Sequence, residues 1–390
     1  MSMPVVANIA EADARTSTWA AEDVARIAAI PLPQAPLIGA EDARKVIADL
    51  DLWDIWPLQN DDGGVAEVAG GTLWLILSAP CVDDPNLRHD VARTRLLHSI
   101  GGAWHDCGNL FPDALNPGLR EWSGSTRFDA KTGRVTAFFT ATGRRGNSAA
   151  NFEQRLFQTV GTLALEGPHP VISGWSVPHE SVINDGRYYV DLAVDQGQPG
   201  RIRGFRDPYW FRDPADGAGW LLFTGSLAGA SSEYCGVVGL AAARDAGGDA
   251  GFELLPPLVS ADGLANEMER PHMIVRDGLY YLFWSSQHSV FAPNGPAGPT
   301  GLYGMVGSSI LGPFRPLNGS GLVIANPVDE PRQAYCWQVL DTLDVVSFVD
   351  HWGLRGRDPA LHRTQFGGTI APMLKIAIEG ETTHLLGLAG

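Results

Sequence analysis

From about residue 50 onward the chain is built of short apolar or alternating runs set between turn signals. Examples are "GTLWLILSAP", "GRVTAFFTATG", "DGRYYVDLAV", "GWLLFTGS", "GVVGLAAA", "GLYGMVGSS" and "LDVVSFVDHW". None is long enough for a helix of ordinary length, and no long amphipathic stretch interrupts them. "HMIVRDGLYYLFW" adds a hairpin signature, an Asp-Gly pair between two strand-like runs. The 46 glycines and 27 prolines fit a chain that turns often. An all-β domain follows: a sandwich, barrel or propeller, with no clean repeat to choose among them.

The first part of the chain reads differently. In "STWAAEDVARIAAIP", Ala20, Val24, Ile27 and Ala28 share one helical face. Thr18 is placed to cap that helix, and Pro31 stops it. "GAEDARKVIADL" is a second short helix on the same reasoning. The expected organisation is therefore a helical segment, residues 1–47, packed on an all-β domain, residues 48–390.

Charge and cysteine content narrow the function. A net charge of −16 disfavours nucleic acid and anionic membrane surfaces as partners and suits a neutral substrate. Cys81, Cys107, Cys235 and Cys336 form no Cys-x-x-Cys pair, so a zinc or redox motif is not expected. Four buried thiols are expected, with one or two disulfides as the alternative. "MSMPVVANIAEADARTS" has no basic n-region and does not read as a signal peptide.

P-loop, dinucleotide, serine-hydrolase and zinc-protease motifs are absent from the sequence. What remains is acidic residues among aromatics, in three places. In "LWDIWPLQ", Asp54 sits between Trp53 and Trp56. Indole rings stack on the apolar faces of sugars while carboxylates bond their hydroxyls; a turn cap between two core tryptophans reads the octapeptide equally well. In "ANEMERPHMIV", Glu267 and Glu269 fall on one face of a strand, with Arg270 on the other. Two close carboxylates raise the pKa of at least one, as a general acid near neutral pH requires; a solvated strand edge is the bland alternative. In "FRDPYWFRDPADG" the same tetrapeptide occurs twice. Asp213, followed by Pro214 and Gly217, has a complete explanation as a turn residue. Asp207 has less of one and is the better functional candidate. Paired carboxylates with an acidic helper suit glycoside hydrolysis or transfer.

Taken together, "WDIWPLQ", "EWSGS", "FRDPYWF", "NEMERPH", "GLYGMV", "PLNGSGLV" and "FGGTIAP" resemble, in order, the motifs of glycoside hydrolase family 68. That family comprises levansucrases and related bacterial fructosyltransferases and sucrose hydrolases. The resemblance implies a five-bladed β-propeller with a short helical N-terminal segment and an acidic pocket on its axis. It implies a retaining reaction on sucrose without a cofactor, with fructosyl acceptors or water as second substrate. Asp54 would be the nucleophile, Glu269 the general acid/base and Asp207 the transition-state stabiliser. Arg206 and Arg270 match substrate-binding arginines. Trp53, Trp122 and Ser123 match the fructosyl pocket, and Glu267 and Tyr335 the glucosyl side. Gln287 stands where many relatives carry His or Arg, on the glucosyl or acceptor side, which bears on transfer against hydrolysis. Cys336 and Trp337 stand where Ser-His is common. Asn266 replaces an aspartate usual in calcium-binding members, so no metal is expected. A mainly hydrolytic β-fructofuranosidase and a catalytically idle sugar-binding propeller are the competing expectations. Resemblance also implies an extracellular or periplasmic location, with the cytoplasm as the alternative.

Overall fold

The computed structural model describes residues 16–146, 151–166, 169–357 and 363–389. They form a five-bladed β-propeller. Each blade is an antiparallel sheet whose opening strand lies innermost, and blade III gains one short parallel strand at its outer edge. The inner strands are Leu50–Pro57, Arg120–Asp129, Phe205–Arg212, Glu269–Arg276 and Ala334–Val339, opening blades I to V in turn. The ring closes where the inner strand of blade I packs against three strands of blade V.

Blade faces pack on blade faces, so interior strands are covered on both sides. Gly219–Ser226, the second strand of blade III, is buried along its whole length, as is Gly301–Gly307 in blade IV. This is why the sequence shows continuous apolar runs rather than strict alternation. The Asp-Gly hairpin forms as expected. Asp277 and Gly278 take φ of 51° and 76°, joining Glu269–Arg276 to Leu279–Ser286.

The N-terminal segment departs from expectation. Ser17 and Thr18 are a strand, paired in parallel with Val259 and Ser260 at the edge of blade III. Thr18 is therefore committed to a ladder and does not cap the helix. Only Ala21–Ala25 is α-helical, continuing as a 3-10 turn over Arg26–Ala29. Asp23 reaches back to the Ala20 amide at 2.9 Å and supplies the helix start. "GAEDARKVIADL" forms turns, not a second helix. Its polar groups are drawn to blade V instead. The Val46 amide donates to Thr369 Oγ1 at 3.2 Å, and Thr369 Oγ1 donates to Arg44 O at 2.9 Å.

Trp19 anchors the segment. It is 1% exposed, its indole N–H donates to Ser320 O at 3.1 Å, and its ring meets those of Trp284, Phe291 and Tyr303. The cysteines also differ from expectation. All four are free thiols, but Cys81 is exposed and Cys107 half-buried; only Cys235 and Cys336 are buried.

Candidate active site

All five inner strands break their pairing register. The breaks fall between Trp53 and Ile55, Trp122 and Gly124, Arg206 and Tyr209, Glu269 and His272, and Tyr335 and Gln338. At four of them a non-glycine residue takes positive φ: Asp54 (51°), Asp207 (61°), Arg270 (50°) and Cys336 (55°). Such backbone costs about 1–3 kcal/mol per residue and persists only where the surroundings impose it. A bulge re-aims a side chain that the regular pleat would send into the blade packing. Gly124 shows how tight the second break is: a Cβ there would lie 1.9 Å from Phe138 O.

The bulged residues converge on one pocket of about 530 Å³. It is lined by Asp54, Asp207 and Glu269 and by Trp53, Trp122, Ser123, Arg206, Glu267, Arg270, Gln287 and Tyr335. These residues, named from the sequence, thus line a single cavity, whereas Trp56, the second indole beside Asp54, lies in the core. One detail of the strand reading is corrected. Glu267 precedes the strand, which begins at Glu269, and Arg270 faces the same pocket because the bulge at positive φ reverses its side.

Hydrogen bonds fix each carboxylate. Ser123 Oγ donates to Asp54 Oδ2 at 2.6 Å. Arg206 Nη2 lies 2.7 Å from Glu269 Oε1 and 3.3 Å from Glu267 Oε1, and its Nε lies 3.6 Å from Asp207 Oδ2. The Tyr335 hydroxyl donates to the other oxygen of Glu269. Thr224 Oγ1 donates to Asp207 Oδ2 at 3.0 Å, and the Arg270 amide approaches the same oxygen at 3.4 Å. Arg270 is itself clamped. Its Nη2 donates to Ile55 O at 3.0 Å and Gln338 Oε1 at 3.1 Å, so it ties blade IV to blades I and V.

Burial dominates the electrostatics. It raises Asp207 to about 7, against the pull of Arg206, with the charges of Glu269 and Asp54 adding to the rise. It raises Glu267 to about 8, again against Arg206. Burial, with Glu269 nearby, pushes the Tyr335 phenol well above its ordinary value and keeps it a donor.

The pocket also holds groups that the sequence reading missed, among them Arg88, His89, Phe152, Ile202 and Asp350, and it holds Cys336, noted there only as a departure from the family. Arg88 and His89 come from the 3-10 turn Pro85–Asp90, which carries no recognisable motif. The third Arg-Asp-Pro of the chain, Arg357–Pro359, runs into residues outside those described.

Known proteins resemble this chain in both sequence and fold. The profile of the levansucrase/invertase family matches residues 8–236 and 230–387. A levansucrase of Zymomonas mobilis is 33% identical over 369 residues, 87% of this chain and 83% of its own. Levansucrase LscC of Pseudomonas savastanoi is 31% identical, over 91% and 87% of the two chains. Among solved structures, the inulosucrase of Halalkalicoccus jeotgali bound to kestose superposes with a TM-score of 0.87 at 34% identity, covering 96% of each chain. A levansucrase of Gluconacetobacter diazotrophicus gives 0.85 at 25% identity, over 96% and 92%.

Proposed function

The chain belongs to the levansucrase/invertase family, and on that footing we propose that it is a retaining, sucrose-cleaving fructosyltransferase. The observation that carries this reading is the meeting of Asp54, Asp207 and Glu269, from three different blades, around Arg206 in one pocket. Fructosyl units pass from sucrose to a sugar acceptor or to water. The net charge of −16 suits such neutral substrates better than nucleic acid or an anionic membrane surface.

Asp54 attacks the anomeric carbon of the fructosyl unit, and the glycosidic bond to glucose breaks. Ser123 holds the attacking carboxylate in place through Oδ2. Glu269 gives its proton to the leaving glycosidic oxygen, then takes one from the incoming hydroxyl. Arg206 and Tyr335, one on each oxygen, orient it for both steps. Asp207 bonds the fructosyl hydroxyls as positive charge develops on the ring. Burial raises the pKa of Glu267 and so disfavours a further negative charge in the pocket. Trp53 and Trp122 offer ring faces to the sugar.

Incubation with sucrose tests the reading. Glucose released in excess of free fructose marks transfer. Equal amounts would replace the transferase with the hydrolytic β-fructofuranosidase, and no release would remove the activity altogether.

A further inference from the structure

Arg88 is 6% exposed, yet it has almost no polar partners. Nη1 donates to Pro85 O at 2.8 Å, Nε is buried without a partner, and Nη2 makes no hydrogen bond among the described residues. No carboxylate among those residues lies within 4.0 Å of it. Its guanidinium instead lies against aromatic rings, with Cζ 4.4 Å from the centroid of Phe366 and 5.3 Å from that of Trp53. A buried arginine normally fills its donor fork. This one presents an unfilled edge in the pocket that Asp54 also lines.

Asp350 lines the same pocket from blade V. Burial opposes its ionisation, but His351 Nδ1 at 2.9 Å and the charge of Arg88 hold its pKa below the ordinary value. Burial opposes the charge of Arg88, and Asp350, Asp54 and Asp51 all favour it. Asp51 is already engaged by Lys45 and Arg363. A cationic donor and an anionic acceptor therefore face one cavity without closing on each other.

We propose that Arg88 and Asp350 are a substrate-binding pair that brackets one hydroxyl of the fructosyl unit. Arg88 donates to the hydroxyl oxygen, and the hydroxyl donates to Asp350. A sugar hydroxyl suits this gap because it gives and accepts at once, whereas an ion would satisfy only one partner. Trp53, beneath Arg88, supplies the adjoining apolar face. The inference rests on the reading of the site as a sucrose site.

Calorimetry in an Asp54→Asn background measures sucrose binding without turnover. Sucrose cleavage by the unmodified chain checks the underlying reading separately. Arg88→Met and Asp350→Asn are each expected to weaken sucrose binding at least tenfold. Together they should cost little more than either alone, because both losses report one hydroxyl. Thermal melting should shift by only a few degrees. Should Arg88→Met fail to fold, Arg88→Lys, which keeps the charge and loses the fork, takes its place with the same expectation. Binding within twofold of the parent in Asp350→Asn and in the folded Arg88 variant would overturn the pair. A loss confined to one of the two, or fully additive losses, would overturn the shared hydroxyl.

Discussion

The hydroxyl of Ser123 donates to Asp54 Oδ2 across 2.6 Å, and the two residues come from neighbouring blades. Each sits at a register break of its own inner strand. Asp54 is thus positioned by the contact between blades rather than by its own sheet. Asp54→Asn should abolish glucose release, by at least about a thousandfold, with the fold retained. Ser123→Ala should lower kcat by about 10- to 100-fold, the worth of one hydrogen bond to a charged group. Steady-state glucose release measures both, and a Ser123→Ala enzyme at full rate would separate the hydroxyl from catalysis.

Asp207 and Asp213 carry identical flanking letters and different duties. Asp213 accepts from the Ala215 amide at 2.9 Å and the Tyr280 hydroxyl at 2.5 Å, and its carbonyl takes the Gly217 amide. Asp213→Ala is expected to lower unfolding stability by about 2–3 kcal/mol, since a buried phenol loses its acceptor, and to leave kcat nearly intact. Asp207→Ala should nearly abolish turnover. Denaturant titration alongside sucrose kinetics distinguishes the two, and the opposite pattern would reverse the assignment.

Burial raises Glu267 to about 8 and Asp207 to about 7, so the folded state binds protons that the unfolded chain has already released. Unfolded carboxyls titrate near 4. Stability from these groups is therefore lost as pH rises toward 8. The buried His89 and His272, held low by desolvation, act in the other direction but only below about 6.5. Between about pH 6.5 and 8, melting of Glu267→Gln should fall less steeply than that of the parent chain. Parallel curves over that window would remove the buried-carboxyl explanation.

Trp19 holds a short segment across the edge of blade III and the face of blade IV. Trp19→Ala should cost about 3–5 kcal/mol, as for other large core truncations. The remaining folded enzyme should keep its KM for sucrose, because no part of Trp19 lines the pocket. Chemical denaturation and KM on the same preparation make the check.

The amino-acid sequence alone determined that this chain is all-β. Short apolar runs between Gly, Pro and Asp-Gly turns admit nothing else, and the Asp277-Gly278 hairpin is set by local chemistry. It also supplied a complete turn explanation for Asp213 in the next four residues and a less complete one for Asp207, which barely separates the two. The number of blades and the roles expected of the acidic residues came from ordered motifs, through resemblance, because no fixed repeat marks the blades.

Tertiary structure decided the rest. Reading "NEMERPH" as a regular strand sends Arg270 away from Glu269, but a bulge at positive φ brings it back, and a period-two pattern cannot encode that. Thr18 had the letters of a cap, and a parallel ladder with blade III took its backbone. Arg88 and Asp350 lie far apart in sequence, in segments with no motif, and come to line one cavity only through the closure of the ring. Local propensity fixes where a strand begins and turns, whereas the aim of a side chain at a bulge is set by the neighbouring blades that impose the strained backbone.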